Sequence, residues 1–434
     1  MSGDPGVGGS TFLEPLLECC PSRTFKMTAA ASPSSPLTSE QRHAVSASFL
    51  GWTLDAFDFF VVVFLVDVLA AQFHVPASRI VFTTTATLAM RPFGAAIFGL
   101  LADRYGRRIP LMANVIFFSL AELLCGFAPN YSVFLALRIV YGIGMGGEWG
   151  IGASLAMESI PPKWRGIISG VVQSGYSCGY LLAAVAAKTV LPVWGWRAMF
   201  WAGGLPALLA LYIRWKVKEP EAWKQNRLAN FRAIVQAAGA HWKLFLYLAG
   251  LMTLMNFLSH GTQDLYPHFL KSVHGFHTST VANIAIFYNV GSLLGALFFG
   301  RLSEHIGRRR SLVCAAVLAL CTVPLWVFGN HLIALAFGAF SMQVGVQGAW
   351  GIIPAHLNEL SPDAVRGLLP GLAYQVGNFV ASPVNTIEFR LRDRFGYAWA
   401  LAGFEIMTII LLTLVVTLGP ESKGKQFVAE SGGT

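Results

Sequence analysis

Apolar runs of about 20 residues, the length that crosses a bilayer as a helix, recur along this chain at 44–70, 80–101, 110–127, 131–154, 167–188 and 196–216. After a polar, basic stretch at 217–243 they resume at 244–271, 279–302, 310–328, 332–354, 368–388 and 397–418. Six runs on each side of one long polar break predict an all-α membrane protein with twelve transmembrane helices. Residues 1–43 carry no comparable run: they are rich in Gly, Ser, Pro and Thr and lack a signal-peptide pattern. They read as a disordered cytoplasmic tail, and Met27 marks a second place at which the chain proper could start.

The polar turns show that the chain repeats itself. GLLADRYGRR, Gly99 to Arg108, returns as GRLSEHIGRR, Gly300 to Arg309, an offset of 201 residues. The same offset carries Glu158 onto Glu359, Pro161 onto Pro362, Arg165 onto Arg366 and Gly166 onto Gly367. Two copies of one six-helix unit therefore lie head to tail, and an even number of crossings gives both the same orientation. The expected organisation is a tail at 1–43, bundles at 44–216 and 244–418, a cytoplasmic linker at 217–243 and a cytoplasmic tail at 419–434.

Composition agrees with the pattern. Hydrophobic residues make up 55% of the chain and charged residues 12%, with mean hydropathy +0.57, whereas soluble proteins are about 25% charged. The net charge of +9 does not indicate nucleic acid, because no basic, aromatic-interleaved surface run is present. Lys and Arg instead collect on one set of loops, nineteen against seven, which puts both termini in the cytoplasm of a plasma (inner) membrane protein. The cluster Arg390, Arg392 and Arg394 is a local exception. Cys19, Cys20, Cys125, Cys178, Cys314 and Cys321 follow neither metal-binding nor disulfide spacing, so no metal site is expected.

The GLLADRYGRR turn, its second copy and RIVYGIGMGGEWG (Arg138 to Gly150) resemble the signature motifs of the major facilitator superfamily. Within that superfamily, GWTLDAFDFFVV in the first run and NFLSHGTQDLYPHFL in the seventh resemble the sialate:proton symporter family. They are most similar to its branch of proton-coupled permeases for lactate and other short monocarboxylates. The branch pattern appears here as Asn256, Ser259, His260, Thr262, Gln263 and Asp264, with His268 where Thr is usual. The resemblance implies a secondary transporter, not an enzyme. It would carry a small carboxylate together with a proton by alternating access, driven by the proton gradient and without a cofactor. Sialic acid or another organic acid is the alternative substrate.

The repeat separates scaffold from chemistry without reference to any family. Asp103, Arg107, Glu304 and Arg308 keep their character across the offset, as a latch between halves or, for the arginines, equally as topological anchors. Gly94 and Gly295 are also kept and read as close helix contacts. Polar residues that lose their counterpart are better candidates for chemistry: Asp55 becomes Asn256, Asp58 Ser259, Arg91 Ser292, Arg138 Ala339 and Glu148 Ala349, while His260 answers Phe59 and Asp264 answers Val63. An ionisable residue at mid-helix costs roughly 2.5–3.5 kcal/mol on insertion scales, so each must face a cavity or a partner.

Roles follow from side-chain chemistry. Arg91, midway along the second run, matches a carboxylate with a planar two-pronged donor that stays charged; an ion pair with Asp55 or Asp58 is the structural alternative. His260 and Asp264 lie four apart on one helical face with Asn256, and an imidazole is the side chain whose titration falls between pH 5 and 8. They are candidate proton-coupling groups, in competition with Asp55 and Asp58, and Arg138 biases the protonation of nearby acids. Pro267 invites a helix break beside them. Gln173 and Tyr176 in the fifth run, with Gln375 and Asn378 in the eleventh, are candidate polar contacts for a substrate hydroxyl or keto oxygen. A two-repeat carrier encloses its own path, so a monomer in the lipid bilayer is expected to suffice.

Overall fold

The computed structural model describes residues 36–427, and the unit Thr38–Thr434 carries every element below. The expected tail lies outside the described residues except at its end, where helix already begins at Ser39. Thr38 caps it: the hydroxyl accepts the Gln41 N–H at 3.3 Å while the Gln41 side chain accepts the Thr38 N–H at 2.9 Å. That reciprocal pair satisfies two otherwise orphaned donors, which moves the start of span 1 ahead of the apolar run.

Twelve spans follow in chain order: span 1 Ser39–Phe64, span 2 Ala77–Tyr105, span 3 Arg108–Cys125, span 4 Tyr131–Ser159 and span 5 Arg165–Thr189. Span 6 is the pair Leu191–Ala202 and Ala207–Lys216, span 7 the pair Trp242–Gln263 and Tyr266–Ser272, and span 8 Thr278–Ile306. Span 9 is Arg308–Phe328, span 10 Leu332–Trp350 with Ile353–Leu360, span 11 Leu369–Ala381 with Val384–Phe395, and span 12 Tyr397–Leu418. The linker contributes two short helices, Glu221–Asn226 and Phe231–Ala240.

Among the described residues, eight helices are long and apolar enough to cross a membrane, or nine if the span 6 pair, bent by 42°, counts as one. Spans 4, 5 and 11 complete the twelve, and their weaker apolarity has a physical cause. Span 4 buries Arg138, Glu148 and Glu158 beside a row of glycines; span 5 buries Arg165 and Gln173; span 11 buries Gln375, Asn378 and Glu388. These helices face protein on most sides, so they need less apolar surface than lipid-facing ones.

The repeat is visible in backbone packing. A Cβ on Gly94 would stand 1.8 Å from the carbonyl oxygen of Ile143, and one on Gly295 2.3 Å from that of Val344, the positions 201 residues on. Glycine is what lets spans 2 and 4, and spans 8 and 10, touch backbone to backbone. The two GRR turns also match: Gly106 and Gly307 both take positive φ, 100° and 96°, which disfavours any side chain. Arg107 then forks onto Glu158 at 3.0 and 2.8 Å and reaches Asp103 at 2.7 Å. Arg308 forks onto Glu359 at 2.9 Å through each arm and reaches Glu304 at 3.0 Å.

Candidate functional site

A cavity of about 570 Å³ opens between the halves, lined by Phe60, Thr84, Tyr176 and Tyr180 on one side and by His260, Asp264, Asn289 and Asn378 on the other. Val63 near the end of span 1 and Val81 near the start of span 2 also line it, so its mouth is at the end opposite the GRR turns. At the turn end the halves are in contact. The Asp103 carboxylate accepts the N–H groups of Gly367 at 2.7 Å and Leu368 at 3.0 Å, and Glu304 accepts the N–H of Gly166. Arg366 meets Glu158 at 3.3 Å and Arg165 meets Glu359 at 3.7 Å, while a Cβ on Gly150 would stand 2.7 Å from the Cα of Gly371. The C-terminal segment covers this end, with the Phe427 ring 3.5 Å from the Arg165 guanidinium and 3.6 Å from that of Arg366.

Aromatic side chains from both halves pack against one another behind Tyr176, which lines the cavity. Trp52 stacks on Tyr176 with centroids 5.6 Å apart, and Tyr374 packs against Trp149 at 4.6 Å and Trp350 at 5.5 Å. Trp149 and Trp350 are partners across the repeat. Arg91 lies among them, only 4% exposed, with its guanidinium carbon 5.5 Å from the Tyr374 ring centre. Its Nε and Nη2 have no hydrogen-bond partner among the described residues. Neither Asp55 nor Asp58 supplies one: the Asp55 Oδ1 takes the Tyr141 hydroxyl at 3.3 Å, and both oxygens of Asp58 are unpartnered. A buried guanidinium with free N–H groups is costly unless an anion completes it.

Around Arg91 the first half collects more acids than bases. Asp55, Asp58, Glu122 and Glu148 are all fully buried. Glu122 is held by Arg138 at 2.5 Å, whereas both Glu148 oxygens are unpartnered, and Oε1 fills the space that a Cβ on Gly51 of span 1 would take. Arg138 thus pairs with Glu122 and also stands 4.1 Å over the Tyr141 ring.

In the second half, span 7 breaks at Asp264 and Leu265, just ahead of Pro267. His260 Nδ1 lies 3.2 Å from Asp264 Oδ2, and Asn385 of span 11 donates to the same oxygen at 3.1 Å. The His260 and Asp264 side chains are 31% and 36% exposed, which turns them to the cavity. Gln263 bridges to Gln343 of span 10 at 3.0 Å. Asn256, one turn before His260, does not reach the cavity: it is buried and its amide donates to the carbonyl of Met252 at 2.7 Å. Gln173 accepts the Trp149 indole N–H at 3.2 Å, and both polar atoms of the Gln375 amide are buried without partners.

The structure therefore brings His260, Asp264, Tyr176 and Asn378 to the cavity wall, and Arg91, Gln173 and Gln375 to buried positions that do not line the open cavity. It keeps Asp55, Asp58 and Arg138 in the packed interior of the first half. Two residues escaped the sequence analysis. Glu388 and Glu405 are fully buried with all four carboxylate oxygens unpartnered. The repeat could have exposed them, because they answer Ala187 and Gly204. Among the described residues no group of three or more His, Cys, Asp or Glu could hold a metal ion.

Family comparison agrees with this geometry. The family model for the Major Facilitator Superfamily matches residues 48–385 and 250–431. The chain belongs to the major facilitator superfamily. It is a multi-pass membrane protein of a transporter family, not an enzyme. It is 32% identical over 377 residues to a carboxylic acid transporter protein homolog of Saccharomyces cerevisiae, covering 80% of this chain and 61% of the yeast one. It is 30% identical to a probable 4-methylmuconolactone transporter of Cupriavidus pinatubonensis (89% and 92% of the two chains) and 29% identical to the sialic acid transporter NanX of Escherichia coli (89% and 95%). Among solved structures, the proton:xylose symporter XylE shares the fold with TM-score 0.76 at 20% identity over 90% of this chain and 98% of that one.

Proposed function

We propose that this superfamily member is a secondary transporter of small organic acids, carrying a lactate- or pyruvate-like monocarboxylate together with a proton. The observation that carries the reading is Arg91: a buried, incompletely bonded guanidinium beside Tyr374 of the other half, on a span with no other charge between Ile80 and Leu101. Relatives that transport carboxylic and sialic acids support the organic-acid class. In this reading Arg91 takes the carboxylate, and Gln173, Gln375, Tyr176 and Asn378 contact the rest of the substrate. His260 and Asp264 couple the proton, with Asp55 and Asp58 as the competing carriers. The bundles at 44–216 and 244–418 rock about the site. Asp103 with Arg107 and Glu304 with Arg308 latch the end that carries the basic loops, which is cytoplasmic, as are both termini, in a plasma (inner) membrane.

A larger acid such as sialate is the second reading. It is favoured by the cavity volume of about 570 Å³, well above what a three-carbon acid fills. Purified protein in liposomes with an imposed pH gradient, offered labelled lactate, pyruvate, acetate and sialate, tests both readings. Accumulation of lactate or pyruvate that collapses with the gradient is expected. Accumulation of sialate alone selects the second reading, and uptake of glucose but of no acid overturns both.

A further inference from the structure

We propose that Glu388 of span 11 and Glu405 of span 12 form a proton-binding site in the second half, holding one proton between two carboxyl groups behind the cavity wall. Both side chains are fully buried and all four of their oxygens lack a donor. A Cβ on Gly261 of span 7 would stand 2.0 Å from Glu405 Oε1 and 3.0 Å from Glu388 Oε1. The two carboxyls therefore meet over one glycine, separated by no more than the sum of those distances. Any side chain at 261 would fill the space that the Glu405 carboxyl occupies.

Among the described residues no cation pairs with either carboxyl. From span 7 the pair faces Gly261, next to the stripe of His260 and Asp264, which are bonded to each other at 3.2 Å. On its own helix the basic residue one turn on is Arg392, which is committed to Asp393 at 2.8 Å and lies 4.5 Å over the Phe389 ring. On span 12 the nearest titratable hydroxyl, Tyr397, is bonded to His268 at 3.0 Å. Two carboxylates at this spacing, out of water and without a counter-charge, cannot both ionise, so at least one proton stays with them. An oxygen of one carboxyl accepting the O–H of the other would supply the missing donor.

The site also has a connection to the cavity. Asn385 and Glu388 lie three apart on span 11, hence on one face, and Asn385 holds the cavity-facing Asp264 at 3.1 Å. Loss of the shared proton adds a negative charge directly behind that wall. Its effect on an anionic substrate rests on the carboxylate reading above; the proton site does not.

The test needs no substrate. Protein in liposomes is taken from neutral to strongly alkaline pH, released protons are counted with a pH dye, and infrared difference spectra record protonated carboxyl bands in H2O and D2O. The double variant E388Q/E405Q should release one proton fewer than wild type and lose one deuterium-sensitive carboxyl band. Glu405→Gln alone should shift that band, because Glu388 then faces an amide. Equal proton release with unchanged spectra overturns the proposal. If the double variant does not insert, the single variants Glu388→Gln and Glu405→Gln decide by the same spectrum, an unchanged band in both again overturning it. A carrier that proves not to move carboxylates leaves these readings untouched, so the two proposals fail separately.

Discussion

At the residue scale, chemistry concentrates where burial and missing partners coincide. Arg91 is the case to test first, because its free Nε and Nη2 are what a carboxylate would complete. Hydrogen bonds to a charged group contribute about 1.5–3 kcal/mol each, so Arg91→Ala should weaken carboxylate binding by roughly 10- to 100-fold or more. Arg91→Lys keeps the charge but loses the planar fork, and should recover only part of that loss. Binding measured by calorimetry at wild-type affinity in Arg91→Ala would remove it from the site. For the His260 and Asp264 pair, bonded at 3.2 Å, Asp264→Asn should abolish accumulation against a gradient while leaving substrate exchange. His260→Gln should flatten the pH dependence of uptake. If Asp264→Asn still accumulates and Asp55→Asn or Asp58→Asn does not, coupling belongs to span 1.

At the scale of elements, the turns after spans 2 and 8 show how one motif is held twice. Glu219 accepts the N–H groups of Arg107 and Arg108 at the start of span 3, and Glu421 accepts those of Arg308 and Arg309, at 3.2 and 3.0 Å, at the start of span 9. A carboxylate at a helix N-terminus satisfies orphan donors and complements the helix dipole. Burial pushes the Glu421 carboxyl up, but the backbone N–H groups of Arg309, Lys423 and Ser422 outweigh it and hold it below the ordinary glutamate range. A carboxyl depressed in the folded state stabilises the fold above its unfolded pKa, roughly 4.3, and that contribution is lost as pH falls through the depressed value. Thermal unfolding of the wild type should therefore lose more on acidification through this window than that of Glu421→Gln; parallel curves would deny Glu421 the role. Span 6 is bent by 42° between its two helices, a break that continuous hydrophobicity at 196–216 does not reveal.

At the scale of the whole molecule, the state seen is closed at the turn end and open at the other. Opening the closed end must break Asp103 from two backbone N–H groups, Glu304 from one, and the ion pairs Glu158 with Arg366 and Arg165 with Glu359. Inverting a two-state equilibrium from 1:99 to 99:1 takes about 5.5 kcal/mol, more than one such contact contributes net of water. Single substitutions should thus shift the balance without inverting it. Asp103→Asn, which weakens two bonds made by a fully buried carboxylate, should open the turn end more than Glu304→Gln, whose side chain is 14% exposed. Cysteine labelling at the turn-end rim measures this directly, and equal labelling of both variants and wild type would show that these acids do not latch the halves.

Much of this organisation was present in the order of residues. Twelve apolar runs, an offset of 201 and the kept pairs Gly94 with Gly295 and Arg107 with Arg308 follow from solvent and from backbone geometry. Lipid requires long apolar helices, and close helices or positive φ require glycine; both are local demands that leave a mark on the sequence. The asymmetry across the repeat also singled out Arg91, His260 and Asp264 as candidates, because a charge in an apolar run needs a reason wherever the chain puts it. Tertiary structure alone decided which of these share a space. Asn256, one turn before His260, is buried and bonded to its own helix, Asp55 and Asp58 are sealed in the first half, and Glu388 meets Glu405 across Gly261 on a third helix. Helix rotation and the approach of the two halves set those meetings, and both depend on packing between different helices, which no local pattern records.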